Sequence, residues 1–489
     1  MSQPNILLII SDQQRTDTLG FLGKTPCKTP HLDALAAQGI SFNQAACTAP
    51  LCGPSRASIF SGKYAHQIRG VLLDDPTKAR GPESAGTRTD MMTNFSSMRE
   101  PPLLTRGLRQ ARYYTAYAGK WHLGEDIIDN WFDAAAGYAV SDYLDWCEER
   151  GLSDGWPLQD PDVRSHRTPP MSTPVTKVQR VAPEETNDAW IADIAIRQIK
   201  ERPKDRPFFV SCGFNGPHPP FKIPEPYFSM YDPSDIPEPK NFQPGSGEPE
   251  YKKRSFYRRL WQDQGEEWER WKKAVAVYWG FATLIDDQVG RIVATLEQEG
   301  VRDNTVVIFC SDHGEMLGQH GLWHKMQPYE ESLRVPLIIS PPGDQMAVAL
   351  DAGSESPRVA ATNLSDAKAS LLDIPATILS YAGVPIPEEY EGIDLSSLVT
   401  TPAREYIFCE HKPLGEFHNE VDWRMVSDNR LKYVWNRGER DELYDLESDP
   451  GEIVNRIDEQ SYENARRRLK DALARWMKET ADPLFDEFR

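Results

Sequence analysis

Four short apolar runs, rich in β-branched and aromatic residues, alternate along the chain with longer segments of helical periodicity. They lie at residues 6–10, 113–117, 208–214 and 305–310. Continuous apolar runs of this length are typical of strands that are buried on both faces of a sheet. Their alternation with helical segments predicts an α/β fold, in which helices sandwich a large, mostly parallel sheet.

The segments between these runs predict the helices and loops. Thr29 and Pro30 supply an N-cap and a proline in the first turn of a short helix. Longer helices are expected at about residues 187–201, 266–299 and 365–382. Segments rich in proline and glycine predict long surface loops at about residues 153–185, 216–250 and 341–357.

The C-terminal part of the chain has a different pattern. Short strands are predicted at residues 405–409, 423–426 and 431–435, with a closing helix at about residues 462–479. Because a chain of 489 residues is long for a single core, we predict two domains. These are a large α/β domain at residues 1–400 and a smaller C-terminal α+β subdomain with an antiparallel sheet at residues 401–489.

Charge and cysteine content exclude several classes of protein. The 74 acidic and 55 basic side chains give a net charge of −19, which disfavours binding to nucleic acid and to anionic membranes. No apolar stretch approaches the roughly 20 residues that span a bilayer, and the N-terminus lacks the features of a secretory signal, so we expect a cytoplasmic protein. Seven scattered cysteines without a CxxC pair indicate neither a disulfide framework nor a zinc knuckle.

Polar residues of catalytic type follow each of the four predicted strands. In open parallel sheets, ligands bind outside the carboxyl ends of the strands, so these residues should converge on one crevice. In chain order they are Asp12 and Gln13, Lys120 and His122, His218, and Asp312 and His313.

A fifth segment, Cys52-Gly53-Pro54-Ser55-Arg56, is expected in the same region. Pro54 suits the first turn of a helix, which would place Cys52 at the N-terminus of that helix. Exposed N–H groups and the helix dipole favour negative charge at such a position. An anionic group could therefore bind beside Cys52.

This segment, with Gly62 six residues beyond Arg56, resembles the signature of the type I sulfatases, which belong to the alkaline phosphatase superfamily. The resemblance covers nearly the whole chain. Its further motifs, in the order of the family, are Gly119-Lys120-Trp121-His122-Leu123-Gly124, Pro217-His218-Pro219-Pro220, Ser311-Asp312-His313-Gly314-Glu315 and Lys325.

The resemblance implies a modified nucleophile beside a divalent cation. A formylglycine-generating enzyme would oxidise Cys52 to formylglycine during maturation. Asp12, Asp312 and His313 correspond to metal ligands of the family, and the modified Cys52 would also contact the ion. Gln13 stands where many sulfatases have a second Asp, and its amide oxygen can coordinate without adding charge. From this ligand set we expect Ca²⁺, with Mn²⁺ or Mg²⁺ as alternatives.

The implied reaction is hydrolysis of an aryl or carbohydrate sulfate ester, through a sulfated formylglycine intermediate, to an alcohol and inorganic sulfate. Arg56, Lys120 and Lys325 would hold the sulfuryl oxygens beside the cation. One hydroxyl of the formylglycine hydrate would attack sulfur. His122 would then deprotonate the second hydroxyl, which expels sulfate, and His218 or Lys325 would protonate the leaving oxygen.

Two other interpretations remain open. The same machinery could hydrolyse phosphonate monoesters or phosphodiesters, because some relatives with Gln after the first Asp prefer phosphorus. A catalytically inactive binding protein on this scaffold is disfavoured, since every expected functional position is occupied. The sequence leaves the physiological substrate open, whether a small-molecule or a saccharide sulfate, and does not decide whether the protein forms a homo-oligomer.

Overall fold

The computed structural model describes residues 3–68, 102–124, 128–152, 176–255, 258, 268–343, 363–396, 404–413 and 421–489. Strands of these residues form a large sheet, a four-stranded sheet and a two-stranded sheet. In chain order they are β1 (Asn5–Ser11), β2 (Ile40–Ala46), β3 (Tyr114–Gly119), β4 (Ala134–Ala136), β5 (Thr176–Val178), β6 (Phe208–Gly213), β7 (Phe221–Ile223), β8 (Thr305–Ser311), β9 (Leu337–Ser340), β10 (Asn363–Ser370), β11 (Ile407–His411), β12 (Trp423–Ser427), β13 (Leu431–Asn436) and β14 (Glu442–Asp445).

The large sheet has eight strands in the order β10-β2-β9-β8-β1-β6-β3-β4. Its strands pair in parallel except for β9, which is antiparallel to both β2 and β8. The predicted mostly parallel sheet is therefore confirmed. All four apolar runs of the sequence are strands of this sheet, and they occupy the adjacent positions β8-β1-β6-β3.

The central strand β1 shows why continuous apolar runs form these strands. Successive side chains of a strand point to opposite faces of the sheet. Leu7 and Ile9 join the hydrophobic core on one face, whereas Ile6, Leu8 and Ile10 join the core on the other face. All five have no solvent exposure. Burial of such a side chain stabilises the fold by roughly 1.5–3 kcal/mol relative to exposure, so the sheet must be covered on both faces.

Helices supply that cover. In chain order they are α1 (Pro30–Ala37), α2 (Cys52–Ser61), α3 (Leu103–Gln110), α4 (Val140–Glu149), α5 (Asn187–Glu201), α6 (Glu250–Lys253), α7 (Trp268–Gln298), α8 (Glu330–Leu333), α9 (Asp373–Tyr381), α10 (Glu463–Glu479) and α11 (Phe485–Phe488). The short helix predicted to follow Thr29 and the helix predicted at residues 187–201 are confirmed, and α7 matches the helix predicted at 266–299 over its described part. Within the described segments, no helix combines the length and apolarity that a membrane crossing requires.

The helix predicted at residues 365–382 is wrong in its first third. Residues up to Ser370 belong to β10, which pairs in parallel with β2, and the helix α9 begins only at Asp373. Pairing with a neighbouring strand outweighs the local helical preference of this segment, because tertiary context overrides propensity. Neither β2 nor β9 was predicted. Within the predicted loop at 216–250 lies β7, which pairs with β5, and residues 153–175 and 344–357 of the other loops lie outside the described residues.

The C-terminal strands β11 to β14 form the second, antiparallel sheet. One face packs against α10 through residues such as Tyr433 and Leu473, and the other face contributes Trp423 and Met425 to the core of the large sheet. The three strands and the closing helix predicted here are confirmed, and β14 adds a fourth strand. The boundary predicted at residue 400 falls within residues 397–403, outside the described residues, and stays a prediction.

Candidate active site

The carboxyl ends of four adjacent strands meet at one edge of the large sheet. Ser11 of β1 pairs with Ser311 of β8, and Gly119 of β3 pairs with Gly213 of β6, so these strands end at the same level. The polar residues predicted to converge follow directly in the chain. As one measure, His313 Nε2 lies 3.8 Å from Asp12 Oδ1. The convergence predicted from the sequence is therefore confirmed.

Helix α2 carries Cys52 into this edge. Cys52 is the first residue of the helix and Pro54 the third, as predicted, and every residue of the helix is buried. The hydroxyl of Ser55 donates a hydrogen bond of 2.5 Å to the carbonyl oxygen of Asp312, which ties the first turn of the helix to the end of β8. Gly62 ends the helix in the left-handed conformation at φ 69°, which favours glycine.

Cys52 is surrounded by groups that bear or accept protons. Its Sγ lies 3.0 Å from Lys325 Nζ, 3.2 Å from His313 Nε2, 3.6 Å from Asp12 Oδ1 and 3.9 Å from Lys120 Nζ. The four partners come from three separate parts of the chain, with His313 and Lys325 in the same part. The thiol thus occupies the centre of the converging residues.

Four buried side chains around this centre have the donor atoms of a cation site. One ligand atom each from Asp12, Cys52, Asp312 and His313 lies within 4.8 Å of all the others. His313 Nδ1 lies 2.9 Å from the carbonyl oxygen of Gly314 and must donate to it, which leaves Nε2 facing Cys52. A second hydrogen-bonded ring nitrogen is the usual arrangement of a metal-binding histidine. Two carboxylates, an imidazole nitrogen and a sulfur atom are donor types that bind divalent cations, so these residues fit a metal ion.

The predicted ligand Gln13 lies beside this cluster. Its backbone N–H donates a hydrogen bond of 3.0 Å to Asp312 Oδ1, and its side-chain oxygen accepts a hydrogen bond of 2.7 Å from Lys325 Nζ. The amide oxygen is therefore held close to the residues that contact Cys52. A carbonyl oxygen has two lone pairs, so it can accept from Lys325 and still face an ion.

Arg56 and Lys120 supply the positive charge of the site. Arg56 Nε donates to Asp312 Oδ2 at 2.8 Å, and Lys120 Nζ donates to Asp12 Oδ2. Arg56 also donates to the carbonyl oxygen of Lys120 at 2.7 Å. This contact depends on Gly213, because a Cβ atom there would lie 2.5 Å from the same carbonyl oxygen and 3.0 Å from Arg56 Nη1. The glycine allows the close approach that joins the two cationic residues.

The charges determine the protonation of the central groups. Burial opposes the ionisation of Cys52, but the positive charges of Lys120, Lys325 and His313 lower its pKa well below the usual value. Burial likewise opposes the charge of Asp12, as does the neighbouring Cys52, whereas Lys120, His218 and Lys325 together lower its pKa to about 2. The protein therefore stabilises an anion at position 52.

Two histidines lie on the solvent side of Cys52. Both His122 and His218 are half-buried, whereas Cys52 and Lys325 are buried. Burial lowers the pKa of each histidine below its usual value, so that each tends to be neutral and able to accept a proton. His218 Nδ1 lies 2.6 Å from the carbonyl oxygen of Pro219 and donates to it. Its Nε2 is the atom left for proton exchange with a ligand.

Three residues of the site were missed or given no role by the sequence. Asp188 of α5 accepts hydrogen bonds from the backbone N–H groups of Asn215 and Gly216, at 2.8 and 3.1 Å, just before His218. Glu315 accepts a hydrogen bond from the side chain of Gln13. His324, to which the sequence assigns no role, lies with its ring 6.0 Å from that of His218. Glu315 lies within a quoted motif, but nothing in the sequence marks Asp188.

Comparisons with known proteins cover almost the whole chain. Residues 4–384 match the family described as Sulfatase, and residues 318–479 match the family described as N-sulphoglucosamine sulphohydrolase, C-terminal. An arylsulfatase of Clostridium perfringens is 30% identical over 493 residues, covering 94% of this chain and 91% of that protein. A multifunctional alkaline phosphatase superfamily protein of Trinickia caryophylli is 27% identical, covering 100% of this chain and 98% of that protein. A phosphonate monoester hydrolase of Agrobacterium radiobacter has a similar structure, with a TM-score of 0.75, 25% identity and coverage of 98% and 96% of the two chains.

Proposed function

The chain belongs to the sulfatase family, and from this premise we propose that it hydrolyses a sulfate ester with a formylglycine formed from Cys52. It is a sulfuric ester hydrolase, whose products are an alcohol and inorganic sulfate. We propose the sulfate ester of a small molecule or of a saccharide as its substrate. A formylglycine-generating enzyme would act on Cys52 during maturation.

One observation carries this proposal: position 52 is a buried point at which positive charges meet. Lys325 Nζ and Lys120 Nζ lie 3.0 and 3.9 Å from Cys52 Sγ, at the N-terminus of α2. Preorganised cationic groups and a helix N-terminus stabilise negative charge that develops during the transfer of a sulfuryl or phosphoryl group. The site is therefore suited to bind a tetrahedral anionic group against residue 52.

The residues around this point have complementary roles. A hydrated formylglycine would supply the nucleophilic hydroxyl. Arg56, Lys120 and Lys325 would neutralise the sulfuryl oxygens. Arg56 also holds Asp312 and the backbone of Lys120 in place. His122 would accept a proton from the formylglycine side. The proton for the leaving oxygen would come from Lys325 Nζ, or from His218 Nε2 when that imidazole is doubly protonated, because its Nδ1 keeps the proton that it donates to Pro219.

A divalent cation would be held by Asp12, Gln13, Asp312 and His313 with residue 52. It would supply charge neutralisation at the sulfuryl oxygens. Carboxylate and amide oxygens predominate in this set, which favours Ca²⁺, with Mn²⁺ next because of the imidazole nitrogen and Mg²⁺ as a further alternative. Elemental analysis of the purified protein tests the identity of the ion.

We also propose a reducing compartment, the cytoplasm, as the location of the protein. All seven cysteines are free and buried, a pattern typical of proteins that fold without disulfides. Fractionation of the native host with an antibody against the protein would test this, and recovery outside the cytoplasm would contradict it.

Two measurements test the nucleophile. The mass of the proteolytic peptide that contains Cys52 should be that of the aldehyde rather than the thiol in protein from the native host. Cys52→Ala should abolish turnover of a nitrophenyl sulfate, because the hydroxyl of the hydrated formylglycine at this position is the proposed nucleophile. Turnover retained by purified Cys52→Ala protein would refute the proposal.

A second candidate function is hydrolysis of phosphonate monoesters or phosphodiesters. It is favoured by Gln13, which removes one negative charge from the cation site, and by the similarity to the phosphonate monoester hydrolase. The two functions are separated by comparing kcat/KM for nitrophenyl sulfate, a nitrophenyl phosphonate monoester and a phosphodiester with the same leaving group. We expect the sulfate to be hydrolysed fastest; a sulfate that reacts slowest of the three would reverse the order of the candidates.

A further inference from the structure

The side chain of Gln13 is held between two charged groups of opposite sign. Its nitrogen Nε2 donates a hydrogen bond to Glu315 Oε2, and its oxygen Oε1 accepts one of 2.7 Å from Lys325 Nζ. A second contact of Nε2, at 3.4 Å, is made with His324 Nδ1. Gln13, Glu315, Lys325 and His324 are all buried, so water does not compete for these bonds.

These two partners fix which end of the amide points which way. A carboxylate only accepts hydrogen bonds and an ammonium group only donates them. If the amide of Gln13 turned over, its oxygen would face Glu315 and its NH₂ would face Lys325. Both charge-assisted hydrogen bonds would be lost together. The observed orientation, with Oε1 towards Lys325, is therefore strongly preferred.

Glu315 is itself held in place by the backbone. Its second oxygen, Oε1, accepts hydrogen bonds from the N–H groups of Leu317 and His324, at 3.0 and 2.7 Å. One oxygen is thus fully used by the loop after β8, and the other is left for Gln13. If the carboxylate rotated to offer Gln13 its other oxygen, these two N–H groups would lose their acceptor.

We propose that Glu315 is a positioning residue, which aims the amide oxygen of Gln13 at the cation site beside Cys52. This inference rests on the proposed cation site. It also explains why an amide is suited to position 13 in this chain, because a carboxylate there would face the carboxylate of Glu315. Gln13 and Glu315 therefore form a matched pair, although they lie 302 residues apart in the chain.

The substitution Glu315→Gln tests the orientation with almost no change in side-chain volume. Its single oxygen would be retained by the N–H groups of Leu317 and His324, so its NH₂ would face Gln13. Gln13 would then turn its oxygen towards residue 315 and away from Lys325. Loss of such a supporting hydrogen bond lowers metal affinity by roughly 10- to 100-fold, and we expect a Kd for Ca²⁺ or Mn²⁺ raised by this factor.

The double variant Gln13→Glu with Glu315→Gln exchanges the two groups. Its carboxylate at position 13 can accept from both residue 315 and Lys325, so donors and acceptors match again and affinity should return to the wild-type value or exceed it. Glu442→Gln is the control, because it also removes a fully buried carboxylate, which binds Lys252 Nζ at 2.6 Å in the C-terminal sheet. The control should leave the Kd unchanged even if it lowers the melting temperature.

The measurement is calorimetric titration of Ca²⁺ and Mn²⁺ into the chelator-treated full-length protein, with melting temperatures of the metal-free forms alongside. Weakened binding in Glu315→Gln, recovery in the double variant and an unchanged control support the inference. A Kd of Glu315→Gln equal to that of the wild type, or a double variant no better than Glu315→Gln, overturns it while the cation site stands. A wild-type protein that binds neither cation overturns the cation site itself, and the role of Glu315 with it.

Discussion

Replacing Arg56 with alanine removes the counter-charge of a fully buried carboxylate. Arg56 Nε lies 2.8 Å from Asp312 Oδ2, and both side chains are 0% exposed. Unit charges at this separation attract by about 6 kcal/mol at an effective dielectric constant of about 20, and the desolvation of both groups offsets part of this attraction. Removal of one partner of such a pair usually costs about 3–5 kcal/mol, because the other charge stays buried. We expect this loss in the free energy of unfolding of the metal-free protein.

Two comparisons show whether charge compensation is the cause. Arg56→Lys keeps the charge but cannot reach both Asp312 and the carbonyl oxygen of Lys120, so we expect a smaller loss of about 1–2 kcal/mol. An added divalent cation should recover part of the loss in Arg56→Ala, because it compensates Asp312 and binds only the folded state.

Urea unfolding followed by tryptophan fluorescence measures these differences, with and without a chelator. The midpoint and slope should be fitted separately, since a change of slope would indicate altered compactness rather than stability. A loss of less than about 1 kcal/mol in chelated Arg56→Ala would refute the reasoning. It would mean that Arg56 is not needed to compensate the buried charge of Asp312.

Two further predictions concern residues outside the cation site. Asp188→Ala should lower kcat/KM by roughly 10-fold or more, because the two N–H groups before His218 lose their acceptor. Asp188→Asn should keep most activity, since both N–H groups donate to the single oxygen Oδ1, which the amide retains. His66 Nδ1 lies 2.9 Å from Glu410 Oε2 in a buried pair. Burial lowers the pKa of His66, but the charge of Glu410 and its hydrogen bond raise it by more, so that the pKa lies above its usual 6.5. A group whose pKa is raised in the folded state stabilises the fold at pH values below its unfolded pKa, and this stabilisation is lost as the pH rises through its folded pKa. The urea midpoint should therefore fall more between about pH 6 and about pH 8.5 in the wild type than in His66→Gln. Equal falls in the two proteins would contradict the role of the pair.

Much of the fold could be predicted because its strands are marked locally. The runs that became β1, β3, β6 and β8 are apolar at nearly every position, which is the pattern of strands buried on both faces. Segment β10 was mistaken for the start of a helix because Ala367 and Lys368 favour a helix, whereas the strand is specified by its partner β2. Edge strands of this kind carry little pattern of their own.

The candidate site divides in the same way. Sequence alone determined which residues meet, since parallel strands bring Asp12, Lys120, His218 and Asp312 to one edge whatever their separation in the chain. Only the tertiary structure decided how they are held: Asp188 beneath the segment that carries His218, and Glu315 against Gln13. The physical reason is that strand type and strand order follow from local patterns and general topological rules, whereas the orientation of an amide or a loop depends on single hydrogen bonds between distant segments.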